Sequence, residues 1–237
     1  MKILVCISHV PDTTTKIKFV NDKLDTNGVQ FIIGPYDDYA LSKAVDLKSE
    51  KNATVTVLNV GKPETEPTLR KALAIGADEA IRIDADPIDA YFVAVQIAEF
   101  AKQNQYDLIL MGRESVDFNG GLVHGFVGEM LGIPSLSPCM SLEFVGERTV
   151  RATREIEGGK ETLELELPFV AGCQEPIAEW KIPNMRGIMT AKNKPLKVIS
   201  AISVENVLVH RNFSLVPERS ACKMISVEEL AELIKKF

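Results

Sequence analysis

No apolar run in this 237-residue chain approaches the roughly 20 residues that a helix needs to cross a bilayer. The apolar start at residues 3–7 has no small-residue cleavage site and is followed at once by acids and lysines. It reads as a first strand rather than a signal peptide, so a cytoplasmic or equivalent compartment is expected. The four cysteines, Cys6, Cys139, Cys173 and Cys222, form no Cys-x-x-Cys pair, which argues against a zinc ribbon and for buried reduced thiols. The three histidines, His9, His124 and His210, lack metal-ligand spacing, and no serine sits in a nucleophile elbow. Hydrolase chemistry has little support. Also missing are a basic patch interleaved with aromatics, which speaks against nucleic acid, and any internal repeat.

What is present is ordinary globular material, with 46% hydrophobic and 25% charged residues. The charge is uneven. Residues 186–237 hold nine Lys/Arg against five Glu, net +4, so the preceding 185 residues carry −10 to give the total of −6. Residues 186–237 therefore read either as a solvated tail or as a basic arm that lies on an acidic partner, set apart from the principal domain over 1–185.

The first 130 residues alternate short Val/Ile/Leu-rich runs (2–8, 54–60, 79–83, 107–111) with amphipathic stretches (37–51, 64–75, 87–103). In the last of these, Ile88, Tyr91, Phe92 and Val95 share one helical face. Strict alternation predicts an α/β fold: a Rossmann-like parallel sheet with helices on both faces, its ligand beyond the carboxyl ends of the strands. After Pro138 the pattern changes to three candidate antiparallel strands (141–145, 149–156, 161–167). An irregular stretch over 175–196 and an extended arm follow. The arm ends in a helix with a capping-box pattern at Ser226 and Glu229.

The segment GRESVDFNGGLVHG, residues 112–125, follows a predicted strand and precedes a predicted helix. It has neither the Gly-Lys-Ser/Thr of a P-loop nor the G-x-G-x-x-G fingerprint. Its glycines still let backbone approach a ligand closely, and a helix starting near Gly120 would aim free N–H groups at a phosphate. A tight structural turn is the competing reading. Asp117 and Asn119 suit either helix capping or a ribose hydroxyl. A nucleotide crevice without a catalytic constellation favours a carrier over an enzyme.

At Arg154-Glu-Ile-Glu-Gly-Gly-Lys-Glu-Thr-Leu163, Leu167-Pro168 and Ile182-Pro-Asn-Met-Arg-Gly-Ile-Met-Thr-Ala-Lys192, the chain closely resembles the β subunit of electron transfer flavoproteins, of adenine nucleotide α-hydrolase-like fold. Residues 10–12, 73–78 and 112–117 extend the likeness. The resemblance implies a heterodimer with an α subunit that holds most of the FAD. Such a heterodimer takes electrons from dehydrogenases, typically acyl-CoA dehydrogenases, and passes them to a quinone oxidoreductase or other acceptor. It implies no independent catalytic activity in this chain, and a structural AMP or, in electron-bifurcating relatives, a second FAD that meets NADH.

By position, the implied cofactor contacts are Cys6, Gly34, Pro35, Tyr36, Val60, Gly61, Asp117, Asn119, Gly120, Gly121, Leu122, Val123, Gly125 and Val127. Thr13 stands where many relatives place an aromatic beside the flavin, and Glu161 matches a glutamate that meets an α-subunit arginine. Partner recognition falls on Ile182, Pro183 and Met185, with Ile182 as the apolar anchor. Leu122 replaces a polar residue of both known loop types, so phosphate contacts would come from backbone N–H groups. AMP is the expected occupant, with a second FAD as the alternative. An adenine-nucleotide hydrolase or ligase is the rival from another class, opposed by the lack of a Ser-Gly-Gly-x-Asp-Ser loop. A stress-type nucleotide-binding dimer is disfavoured by the long C-terminal half.

Overall fold

The computed structural model describes residues 1–237 apart from 21, 22, 206, 208–213, 223 and 237, so His210 lies outside the described residues. The chain divides into two units. The first comprises residues 1–15 and 27–209, and the second comprises 16–26 and 210–237.

In the first unit, β1 (Lys2–Cys6), β2 (His9–Pro11) and β5 (Phe31–Ile33) lead into α1 (Pro35–Lys51). Two further strands, β3 (Phe19–Val20) and β4 (Lys23–Leu24), pair antiparallel in the second unit. Then follow β6 (Thr54–Val60), a 3-10 turn (Pro63–Thr65), α2 (Glu66–Ile75), β7 (Glu79–Asp84), α3 (Ala90–Asn104), β8 (Leu108–Gly112) and α4 (Val123–Leu131). The later half supplies β9 (Ser135–Phe144), β10 (Thr149–Ile156), β11 (Gly159–Glu166), β12 (Phe169–Cys173), α5 (Met185–Ala191) and β13 (Leu196–Ser200).

The nine-stranded sheet runs β11-β10-β9-β12-β8-β1-β6-β7-β13. From β9 through β12, β8, β1, β6 and β7 to β13 every pairing is parallel, and β9, β10 and β11 form an antiparallel meander on one side. The unalternated apolar runs are explained by burial on both faces. Ile3 and Val5 pack with Leu41, Leu47, Leu69 and Leu73 of α1 and α2, whereas Leu4 and Cys6 pack with Phe92, Ile97 and Val127 of α3 and α4. Each fully buried Leu, Ile or Phe contributes about 1.5–3 kcal/mol.

Local signals set the helix ends. Pro35 occupies the first turn of α1, where its missing N–H costs nothing, and Asn52 ends that helix at φ 52°. Asp89 caps α3 by accepting from Phe92 N–H at 2.7 Å. The start of α3 is therefore Ala90 and not residue 87, and the buried face is Phe92, Ala94, Ile97, Ala98 and Ala101, while Ile88 is exposed. Among the described residues no helix is long and apolar enough to cross a membrane. Cys6, Cys139 and Cys173 are buried free thiols, but Cys222 is exposed.

The stretch over 175–196 departs from expectation. It holds α5 and leads into β13, which pairs in register with β7, so the first unit continues to residue 209 and not to 185. Long-range contacts produce this. The Arg70 guanidinium donates to the Ala191 and Lys194 carbonyls at 2.9 and 2.7 Å, and the Lys194 ammonium donates to Leu73 and Ala77 carbonyls at 2.9 and 2.6 Å. Strand β9 likewise starts at Ser135, passing through Pro138 where a break was expected.

In the second unit, α6 (Val227–Ile234) carries the expected capping box. Glu229 N–H donates to Ser226 Oγ at 3.2 Å, and Ser226 N–H donates to Glu229 Oε2 at 2.9 Å.

Candidate functional site

From β1 the chain adds β6 and β7 on one side, then crosses to β8 on the other side of β1. Connections leaving β1 and β8 diverge at their carboxyl ends, and such a switch point is where doubly wound sheets open a crevice. Asp37, in the first turn of α1, bridges it. Its Oδ2 accepts from Ser8 N–H at 2.8 Å and from the Ser8 hydroxyl at 2.5 Å, and its Oδ1 accepts from Gly112 N–H at 2.7 Å. Gly112 leaves no room for a side chain, because a Cβ there would stand 2.6 Å from Asp37 Oδ1 and 2.7 Å from Tyr36 Cβ.

Neighbouring loops are tied to the same edge. Asn59 Nδ2 donates to the Ile7 carbonyl at 2.8 Å, and the buried Arg82 donates to the Gly61 carbonyl at 3.0 Å while pairing with Glu66 and Asp84. Cys6, Gly34, Pro35, Tyr36, Val60 and Gly61 are thereby collected at the carboxyl ends of β1 and β6 and the start of α1. Cys6 is not a nucleophile, since burial first and the Asp37 charge second push its thiol far above the usual range.

The glycine loop closes this edge. Asp117, Asn119, Gly120, Leu122 and Gly125 are exposed, Gly121 and Val123 are half-buried, and Val127 is fully buried in the core beneath. Asn119 and Gly121 take positive φ, 49° and 58°. A Cβ on Gly120 or Gly125 would meet nothing within 4 Å, and one on Gly121 only the Arg113 carbonyl at 3.8 Å, so the backbone here lies open. The helix begins at Val123 and not near Gly120, and no side chain among the described residues caps it. Asp117 instead accepts from Phe118 N–H at 3.0 Å, and the Asn119 amide donates to Ser115 and Val116 carbonyls at 3.2 and 3.0 Å. His124 is half-buried beside the loop, and burial lowers its pKa.

Beside the loop runs a polar chain that the sequence did not reveal. Arg113 stacks over the Tyr36 ring at 4.9 Å, donates to Glu114 at 2.8 Å and to Gln174 at 2.9 Å, and Gln174 donates to Glu155 at 2.8 Å. Glu161 is not at the crevice. It sits on the outermost strand β11, paired across the ladder with Arg154 at 2.6 Å. Thr13 is exposed, next to the turn in which Asp12 accepts from Thr14 N–H at 2.8 Å. Ile182 and Met185 are exposed and Pro183 half-buried, in the segment leading into α5. His9 is structural, hydrogen-bonded to Thr68 at 2.7 Å and stacked on Phe31.

Burial pushes the carboxyls of Asp37 and Asp38 up to about 6. The Ser8 and Gly112 donors pull Asp37 back, and Lys71 does the same for Asp38. Between about pH 4 and 6 the folded chain holds protons that the unfolded chain has released, so the contribution of these groups to stability falls as pH rises through that window. His9 and His124, both lowered by burial, act in the opposite sense below about pH 6.5. Substitution isolates the Asp38 share, because its Oδ1 finds no hydrogen-bond partner among the described residues. Asp38→Asn is expected to stabilise by on the order of 1–2 kcal/mol near pH 7.5, after allowing for the lost Lys71 attraction, with the gain shrinking towards pH 4. Urea unfolding at the two pH values measures this, and an equal gain at both would refute the burial cost.

The sheet order and switch-point loop define a doubly wound α/β protein with an open glycine-lined edge. Residues 22–204 match the electron transfer flavoprotein domain. The chain is 35% identical over 201 residues to the electron transfer flavoprotein subunit beta of Bacillus subtilis, covering 83% of this chain and 78% of the relative. It is 34% identical over 223 residues to that of Syntrophomonas wolfei, covering 93% and 88%. Against the human subunit it is 29% identical over 259 residues, covering 100% and 98%. The chain belongs to the electron transfer flavoprotein β-subunit family.

Proposed function

We propose that this chain is the β subunit of a heterodimeric electron transfer flavoprotein. It pairs with an α subunit, receives electrons from dehydrogenases of the acyl-CoA type and delivers them to a quinone oxidoreductase or similar acceptor. FAD, held mainly by the α subunit, supplies the redox chemistry when bound. The β chain is a scaffold and docking partner, with no catalysis of its own. Glu161 and Thr13 are its flavin-side or inter-subunit groups, and the C-terminal arm docks on the α subunit.

The observation that carries the reading is the open backbone at the switch point, which suits an adenine nucleotide kept as a structural ligand. Backbone N–H groups of Gly120, Gly121, Val123 and Gly125 would hold its phosphate, since the uncapped start of α4 is an anion site and Leu122 offers no polar group. Asp117 or Asn119 would meet the ribose, and Cys6, Gly34, Pro35, Tyr36, Val60 and Gly61 would wall the base, with Val127 supporting the floor. AMP is the occupant we propose. The guanidinium of Arg113 is engaged with Glu114 and Gln174 and so is not free to answer a second phosphate.

Coexpression with the α subunit followed by cofactor extraction tests this. One FAD and one AMP per heterodimer is the expected result. Two FAD and no AMP would replace AMP with the bifurcating arrangement, and a chain that never associates with an α subunit or flavin would overturn the reading.

A further inference from the structure

The segment before α5 is fastened to the body at both ends, while its middle is exposed. Asp38, Ser42 and Asp46 recur every four residues along α1 and so share one face. Ser42, nearly fully buried, accepts from Lys181 N–H at 3.1 Å, and the Lys181 ammonium meets Asp46 Oδ1 at 2.7 Å. Both the backbone and the side chain of Lys181 are therefore held by α1.

The second fastening is on α2. Asn184 caps α5 by accepting from Gly187 N–H at 2.8 Å, and Gly187 lies so close to the Ala74 carbonyl that no side chain fits between them. Arg70 holds the far end of α5 through two carbonyls. Between these anchor points Ile182 is 81% exposed, Met185 76% and Met189 68%. Such exposure contributes nothing to the fold, yet the backbone on either side of Ile182 is fixed. Ordering a free loop on docking costs roughly 0.5–1.5 kcal/mol for each side chain immobilised, and a mount that orders it beforehand removes that cost.

We infer that α1 and α2 form a mount for the docking segment, and that Lys181, gripped by Ser42 and Asp46, is the positioning residue that presents Ile182 to the donor dehydrogenase. The inference rests on the proposed role of Ile182 as docking anchor. It also makes α1 a shared bar, because its first turn bridges the switch point through Asp37 while its middle holds the docking segment.

Charge reversal in the coexpressed heterodimer tests the mount, with steady-state reduction by the donor acyl-CoA dehydrogenase as the readout and FAD content as the folding control. Lys181→Glu is expected to raise the KM for the flavoprotein by about threefold to tenfold with kcat little changed, since it disorders the anchor without touching the flavin. Adding Asp46→Lys restores the ion pair and should bring KM back to within about twofold. In an Ile182→Ala background, Lys181→Glu should add no further rise. An unchanged KM for Ile182→Ala alone would overturn the docking role itself. If Ile182→Ala raises KM while Lys181→Glu is silent, fully additive to it, or not rescued by Asp46→Lys, the docking role stands and the mount is refuted.

Discussion

Asp37→Asn is expected to cost about 3–4 kcal/mol, lowering the melting temperature by roughly 10 °C and releasing the AMP proposed for the switch point. The substitution is nearly isosteric, and burial alone would favour a neutral group, because it lifts the carboxyl to about 6. The donors decide against it. Both oxygens face N–H groups, Ser8 on one side and Gly112 on the other, so an amide can satisfy one and must turn its own NH2 towards the other. The Ser8 hydroxyl can rotate to accept, but the two backbone donors cannot. The connections leaving β1 and β8 then lose the atom that joins them. Thermal unfolding and AMP content of the purified complex read the two effects, and a variant as stable as wild type would show that the bridge contributes nothing.

Gly187→Ala should also destabilise, by about 2–3 kcal/mol, although helix propensity predicts the opposite sign. Alanine inside a helix is favoured over glycine by about 1 kcal/mol. Here the new Cβ would fall on the carbonyl oxygen of Ala74 and within 3.3 Å of its carbon, and a backbone group cannot swing aside as a side-chain tip can. Helix α5 must lift from α2, weakening the Arg70 and Lys194 hydrogen bonds that brace the residues before β13. Chemical denaturation and limited proteolysis across 182–195 report the change. A variant more stable than wild type would mean that α5 is free to shift.

Legibility in the sequence followed the range of the interaction responsible. Strands β1, β6 and β8 were readable because burial on both faces demands unbroken apolar runs, and the α6 capping box because its partners lie three residues apart. The glycine loop was readable as open backbone. Asp37 was not, since an acid in a first helical turn looks like an ordinary partner of the helix dipole, and nothing in its neighbourhood tells of Gly112, 75 residues away. The Arg113–Gln174–Glu155 chain escaped for the same reason, and Asp117 and Asn119, plausible caps by type, turned out to bond within their own loop.

By itself the sequence determined the alternation of strand and helix, the burial of the central sheet, the open glycine loop and the motifs of an electron transfer flavoprotein β subunit, because all of these are written in local pattern and residue type. The tertiary structure alone decided that β13 completes the sheet beside β7, that one carboxylate joins the ends of β1 and β8, and that Lys181 is gripped by α1. Each of these depends on groups far apart in the chain, whose partners are chosen by packing and by the need of buried polar atoms for a hydrogen bond.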